Sequence, residues 1–319
     1  MNTFAWLLKR EFWEHRGGFF WAPIIVGVIS LVLFTMGIVV GEVSMHRANV
    51  DPKFFGMDAV TSHLTGEQMH MLGTGLQIAM YTVPGLIFVV TFFVLFFYCL
   101  GALYDDRKDR SVLFWKSLPL SNLETVASKA VTALLVVPLI STVAAIATGL
   151  AFLVLLSAYV GYYGMNPITL VWLQAGPWKA AAQMLAYIPL AALWALPSVG
   201  WLMLCSAWAR SKPFLWALAI PIGLGIMVSW FDLMQSLTVP DAWFWKNVVA
   251  RLLLSLMPGS WLDTSGIDDN FQGPDDFARL FDLGNAYAAL GTADLWIGAV
   301  AGLAMLAGAV YFRRKRDEG

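Results

Sequence analysis

The chain is expected to fold as an all-α integral membrane protein with six transmembrane helices, an N-terminal interfacial helix and a cytoplasmic coupling helix between spans two and three. Three observations lead there. Of its 319 residues 59% are hydrophobic and only 13% are charged, whereas a soluble domain carries about a quarter charged residues. Runs free of Asp, Glu, Lys and Arg, from Gly17–Gly41 through Leu295–Phe312, reach the roughly 20 residues that a membrane helix needs. Lys and Arg are also distributed unevenly between alternate connections.

Residues 1–18 come first. Asn2–Arg16 sets Phe4, Leu7, Leu8 and Phe12 against Lys9, Arg10, Glu14 and His15, with Trp6 and Trp13 near the boundary. That is the pattern of a helix lying flat on the cytoplasmic leaflet, and a basic anchor that sets topology accounts for the same residues equally well. No cleavable signal is expected, since charges flank the apolar residues on both sides and no small-residue cleavage site follows span one. The membrane domain, residues 19–312, holds spans at about 19–41, 78–103, 130–157, 180–208, 214–232 and 294–312, and residues 313–319 form a basic cytoplasmic tail. The long charge-free run after Ala130 is cut by the turn residues of Gly161–Pro167, so it counts as one span plus an aromatic loop.

Asp241–Met257 has helical periodicity in Trp243, Phe244, Val248 and Leu252, with Asp241 as N-cap. Its apolar part, Leu252–Leu262, is too short to span and contains Pro258-Gly259. It is expected to be an interfacial or re-entrant helix at the extracytoplasmic mouth, and a plain amphipathic surface helix is favoured over true re-entry. Asp263–Asp282 follows as an exposed loop. Orientation comes from the cations. With both termini cytoplasmic, that side holds Lys9, Arg10, Arg16, the Arg107–Lys116 group, Lys129, Arg210, Lys212 and Arg313–Arg316.

Several chemistries are missing. No GxxxxGK[ST], GxSxG, HExxH or CxxC pattern occurs, so neither a P-loop nucleotide site nor a familiar catalytic set is expected. Cys99 and Cys205 lie inside spans and read as small buried hydrophobes. No histidine and no ionisable residue lies deep in a span, which disfavours an ion-coupled carrier. Nothing points to nucleic acid, and membrane lipid is the expected surroundings. His63, Glu67 and His70 fall on one helical face beside Met69 and Met71. They form a candidate metal site without a fixed fourth ligand, and the plainer reading is a polar surface helix. The span glycines, among them Gly298, Gly302 and Gly308, fit close helix packing within one subunit better than a dimer seam.

The segment Tyr104–Lys129 stands out. Asp105, Asp106, Arg107, Lys108, Asp109 and Arg110 form a mixed-sign cluster. Val112, Leu113, Phe114, Trp115 and Leu118 follow, Pro119 stops the helix, and Ser121 with Glu124 has capping-box spacing. One reading is a coupling helix whose apolar residues fill a partner's groove while Asp and Arg set the register. The other is a solvated positive-inside loop with aromatics resting on headgroups, and spacing alone leans slightly to it.

The same stretch resembles the hallmark of type-2 ABC exporter permeases: a charged cluster after span two, a helix, a Leu-Pro-Leu-Ser break and a helix ending in a base before span three. The matching positions are Asp105–Arg110, Ser117–Ser121 and Lys129. Where the family has Glu-Arg-Glu then Gly-Thr, this chain has Asp-Arg-Lys-Asp-Arg-Ser. The resemblance implies a permease subunit without a nucleotide site or cofactor of its own, pairing with a second permease subunit, identical or not, in a bacterial inner membrane. Separate ATPase subunits carrying ATP and Mg would dock on it, and the substrate pathway would lie between the permeases. The coupling residues it implies are Asp105, Asp106, Arg107, Asp109, Arg110, Phe114, Trp115 and Lys116. A non-transporting scaffold that anchors a protein complex is the alternative.

Overall fold

The computed structural model describes residues 3–48, 65–108, 121–233, 241–261 and 282–317. Six helices among them are long and apolar enough to cross a membrane: Gly17–Arg47, Gly66–Lys108, Asn122–Tyr162, Ile168–Trp208, Pro213–Asp232 and Ala293–Lys315. The chain is a multi-pass integral membrane protein, and these helices are its spans one to six.

Spans two and three outrun the charge-free stretches because capped polar turns extend them. Span two starts at a capping box rather than near Ile78: Gln68 N–H donates to Thr65 Oγ1 (3.4 Å) and Thr65 N–H to Gln68 Oε1 (3.0 Å). It is broken at Pro84, which caps its second half, Gly85–Gly101. Span three opens with the α-helix Asn122–Val131 and then carries a π turn at Thr132–Val136. Pro138 explains it, since a proline offers no N–H to the carbonyl four residues back and its ring crowds that turn. The Gly161–Pro167 break is present. The helix ends at Tyr162, Gly164 takes a φ of +80° and Asn166 Oδ1 accepts from Ile168 N–H (2.9 Å). Gly176, at φ +53°, then kinks span four before its long helix Pro177–Trp208.

Spans two, three and four supply most of the main core, with Leu95, Cys99, Ala133, Val199, Leu202 and Met203 all inside it. Spans one, five and six turn apolar side chains outward, among them Val32, Met36, Ile226, Trp230, Ile297 and Val300. Spans four and six meet backbone to backbone. A Cβ on Gly302 would overlap the Leu196 backbone, and one on Gly200 would overlap Gly302 itself. This is the small-residue packing within one chain that the glycines foretell. Cys99 and Cys205 are buried free thiols.

Residues 241–261 depart from the surface helix favoured by the sequence. They are helical over Asp241–Leu254, and Gly259 at φ +86° closes a turn beyond. Val249, Leu253 and Leu256 sit in the main core together with Val199 and Ala217. Trp245 Nε1–H donates to Ser229 Oγ (2.9 Å). Ser198 Oγ–H donates to the Arg251 carbonyl (2.9 Å), and its oxygen accepts from Ser255 N–H (3.1 Å). Ser198 lies ~15 Å along the helix from its end at Trp208, so the hairpin tip reaches deep between spans. An apolar stretch too short to cross can still insert when neighbouring helices satisfy its terminal backbone groups.

Candidate functional site: the charged end of the bundle

The N-terminal helix Thr3–Glu14 buries Leu7 and, one turn on, Glu11. Glu11 is 1% exposed and its partner Lys129, near the start of span three, 2%. Lys129 Nζ stands 3.0 Å from Glu11 Oε1 and 3.6 Å from Asp106 Oδ2. Tyr98 O–H donates to Glu11 Oε2 (2.9 Å). Arg313, in the last turns of span six, places Nη1 3.6 Å from the same Asp106 oxygen. One chain of alternating charge therefore ties together the N-terminal helix and spans two, three and six. The two terminal segments of the chain meet at this end.

Span four joins through hydrogen bonds. Ser206 Oγ accepts from Leu103 N–H (3.0 Å) and Tyr104 N–H (2.9 Å), and Arg107 Nη2 donates to the Ser206 and Ala209 carbonyls. The Arg107 guanidinium also lies 5.9 Å from the Tyr104 ring centre. Ser121 forms the expected capping box: Glu124 N–H donates to Ser121 Oγ (3.1 Å) and Ser121 N–H to Glu124 Oε2 (2.9 Å).

Two carboxylates, Glu11 and Asp106, face two cations, Lys129 and Arg313, so the core of the cluster is formally neutral. Burial alone would raise the Glu11 carboxyl, but the Lys129 ammonium, the Tyr98 phenol and Arg10 outweigh it and hold the group below its ordinary value. Glu11 and Lys129 are directed at each other, Lys129 and Arg313 stand 3.6 Å from Asp106, and Arg313 Nε and Nη1 find no hydrogen-bond acceptor among the described residues. Their arrangement is that of a structural clasp rather than of a nucleophile and its base.

The residues expected to face a partner divide. Asp105 is exposed, whereas Asp106 is buried in the clasp and Arg107 is held by span four. Asp109, Arg110, Phe114, Trp115 and Lys116 lie outside the described residues. So does His63, while Glu67 and His70 are exposed on the opening turns of span two. Among the described residues no three His, Cys, Asp or Glu side chains gather as a metal site would require.

Sequence reasoning missed Glu11, Arg313 and Arg251. Glu11 carries a detectable signal, a carboxylate four residues after Leu7 on the apolar stripe. Arg251 falls within Asp241–Met257, the segment that the sequence puts at the extracytoplasmic mouth. In the inserted hairpin its guanidinium lies 3.6 Å from the Trp194 ring centre and donates to the Trp194 (3.4 Å) and Asp294 (3.2 Å) carbonyls. No family model matches the chain, nor does any curated protein or solved structure.

Proposed function

We propose that this chain is the permease subunit of an ATP-driven ABC exporter, driven through residues 104–129 by a separate ATPase. The observation that supports this reading is the clasp. Asp106 on one flank of the segment and Lys129 on the other are joined to each other, to Glu11 and to Arg313. A load on the intervening residues is then delivered to spans two, three and six and to the N-terminal helix, because buried, mutually paired groups have little freedom to give way. A subunit powered from outside needs such a stiff path.

In this reading Asp106 and Arg107 transmit force rather than touch the partner. Contact falls to Asp105, Asp109, Arg110, Phe114, Trp115 and Lys116. The charged end faces the cytoplasm, the N-terminal helix rests on the inner leaflet of a bacterial plasma membrane, and a second permease subunit completes the pathway. ATP and Mg belong to the ATPase. The hairpin 241–261 then enters from the outer face. The resemblance of Tyr104–Lys129 to type-2 exporter permeases adds to this reading without fixing a substrate.

The test is recovery of the tagged chain from its native membrane in mild detergent. A stoichiometric P-loop ATPase is expected, and its yield should drop when Phe114 and Trp115 are both replaced by Ala. ATPase recovery unaffected by that change would sink the assignment of the segment. Reproducible absence of any ATPase, with other proteins present instead, would favour the scaffold reading.

A further inference from the structure

We propose that a cavity inside this single chain binds one acyl chain of an amphiphile, with a hydrogen-bond-accepting head at its polar end. The cavity has a volume of about 260 Å³ and lies between spans two, three and four, closed on one side by the hairpin tip Ser255–Gly259. Along span two it runs from Tyr81 to Leu95, ~20 Å of helix. A long, mostly apolar space of this kind is tube-like and suits an alkyl chain.

The tube has polarity. Its inner end is formed by Leu95, Ala133 and Leu134, which offer no side-chain donor or acceptor. At its outer end Tyr81 O–H donates to Gln183 Oε1 (2.6 Å), and Trp261 packs beside Tyr187. The Trp261 indole N–H is shut off from solvent and meets no acceptor among the described residues. A buried donor left unmet is costly, and an ester, carboxylate or phosphate oxygen would meet it. Just beyond Tyr81 a smaller hollow holds Lys179, Gln183 and Asp282, so the head would emerge beside both a cation and a carboxylate. A glycan or peptide fits poorly, because its hydroxyls or amides would be buried against apolar walls without partners.

Gly85 provides a clean test. It lines the tube, and a Cβ built there meets nothing within 4 Å. Leu at this position therefore starts from open space and extends into it, and it favours the helix that starts there. The inference needs no ATPase, so its failure would leave the coupling proposal standing.

Purified protein in nanodiscs would be photolabelled with two probes carrying the same diazirine in a palmitoyl tail, palmitic acid and palmitoyl-lysophosphatidylglycerol. Saturable labelling mapped to peptides around Leu95 and Ala133 is expected, with competition by the unlabelled compound. Labelling by both probes, or by one alone, supports the site and identifies which heads it takes. Gly85→Leu should abolish labelling, and Gly37→Leu, at a position open on span one, should not. Trp261→Phe, which keeps an aromatic ring and removes the donor, should weaken apparent affinity about fivefold. Labelling that does not saturate, or that survives in a Gly85→Leu protein eluting as the wild type, would overturn the proposal. If Gly85→Leu fails to fold, wild-type affinity in Trp261→Phe with labelling spread over all spans would do the same.

Discussion

Removing Lys129 is the most informative single perturbation of the clasp. Lys129→Met keeps the length and apolar stem of the side chain and deletes the charge. Two carboxylates lose a partner at once, Glu11 at 3.0 Å and Asp106 at 3.6 Å. Breaking a buried ion pair from one side costs about 3–5 kcal/mol. Glu11 retains the Tyr98 hydroxyl at 2.9 Å and Arg10 at 3.8 Å, and Asp106 retains Arg313 at 3.6 Å. The loss should therefore fall at the lower end, about 3 kcal/mol. Glu11→Leu should cost a similar amount by stranding Lys129 beside Asp106 alone. Added independently, the two would reach about 6 kcal/mol, but the double variant replaces a buried pair by apolar groups and should lose only about 2–3 kcal/mol. The assay is unfolding in mixed micelles with increasing dodecyl sulfate, followed by the fluorescence of the 15 tryptophans. A double variant equal to the sum of the singles within about 0.5 kcal/mol would show no coupling and refute the clasp. Asp105→Asn, at an exposed position, is the control and should change stability by less than about 0.5 kcal/mol.

Further outcomes follow from the same contacts. Because the Glu11 carboxyl is held below its ordinary value of 4.5, its contribution is full above that value and is lost as the pH falls through the lower folded value. Stability should thus hold steady at neutral pH and decline below pH 4.5, and Glu11→Gln should flatten that part of the decline in the same assay. Gly302→Leu drives a side chain into the Leu196 backbone. It should cost more than the usual overpacking range of about 1–3 kcal/mol, seen as loss of the monodisperse peak on size exclusion, while Gly37→Leu elutes normally. With Cys99 and Cys205 buried, single added cysteines can probe the hairpin. Trp243→Cys, at an exposed position, should react with a membrane-impermeant maleimide on intact cells, and Leu256→Cys, in the core, should not. Equal labelling of the two would return the hairpin to the surface.

The spans were legible because a bilayer demands a long uncharged run and little else. Their ends were less so. Thr65 and Gln68 extend span two with polar side chains that a hydrophobicity argument discards, whereas the Ser121–Glu124 capping box that opens span three was legible from its spacing. The hairpin's insertion was hidden for a different reason: it depends on Ser198 and Ser229, which meet Arg251, Ser255 and Trp245 only once the spans are assembled. The charged end shows both sides of the matter. Lys129 stood out as the last base of a conspicuous segment, but its partner Glu11 lies 118 positions away, and no local pattern joins them. Asp105 and Asp106 look equivalent in sequence. On a helix, neighbours point about 100° apart, and that rotation alone leaves one exposed and buries the other in the clasp.

The central claim, that a separate ATPase acts on residues 104–129, is tested most directly by a site-specific crosslink. A photoreactive phenylalanine analogue replacing Trp115 in the full-length chain, irradiated in the native membrane, should capture one partner whose peptides include a GxxxxGK[ST] loop. The crosslink should disappear when the ATPase gene is deleted. Capture of a protein without such a loop, or efficient incorporation with no crosslink at all, would contradict the account.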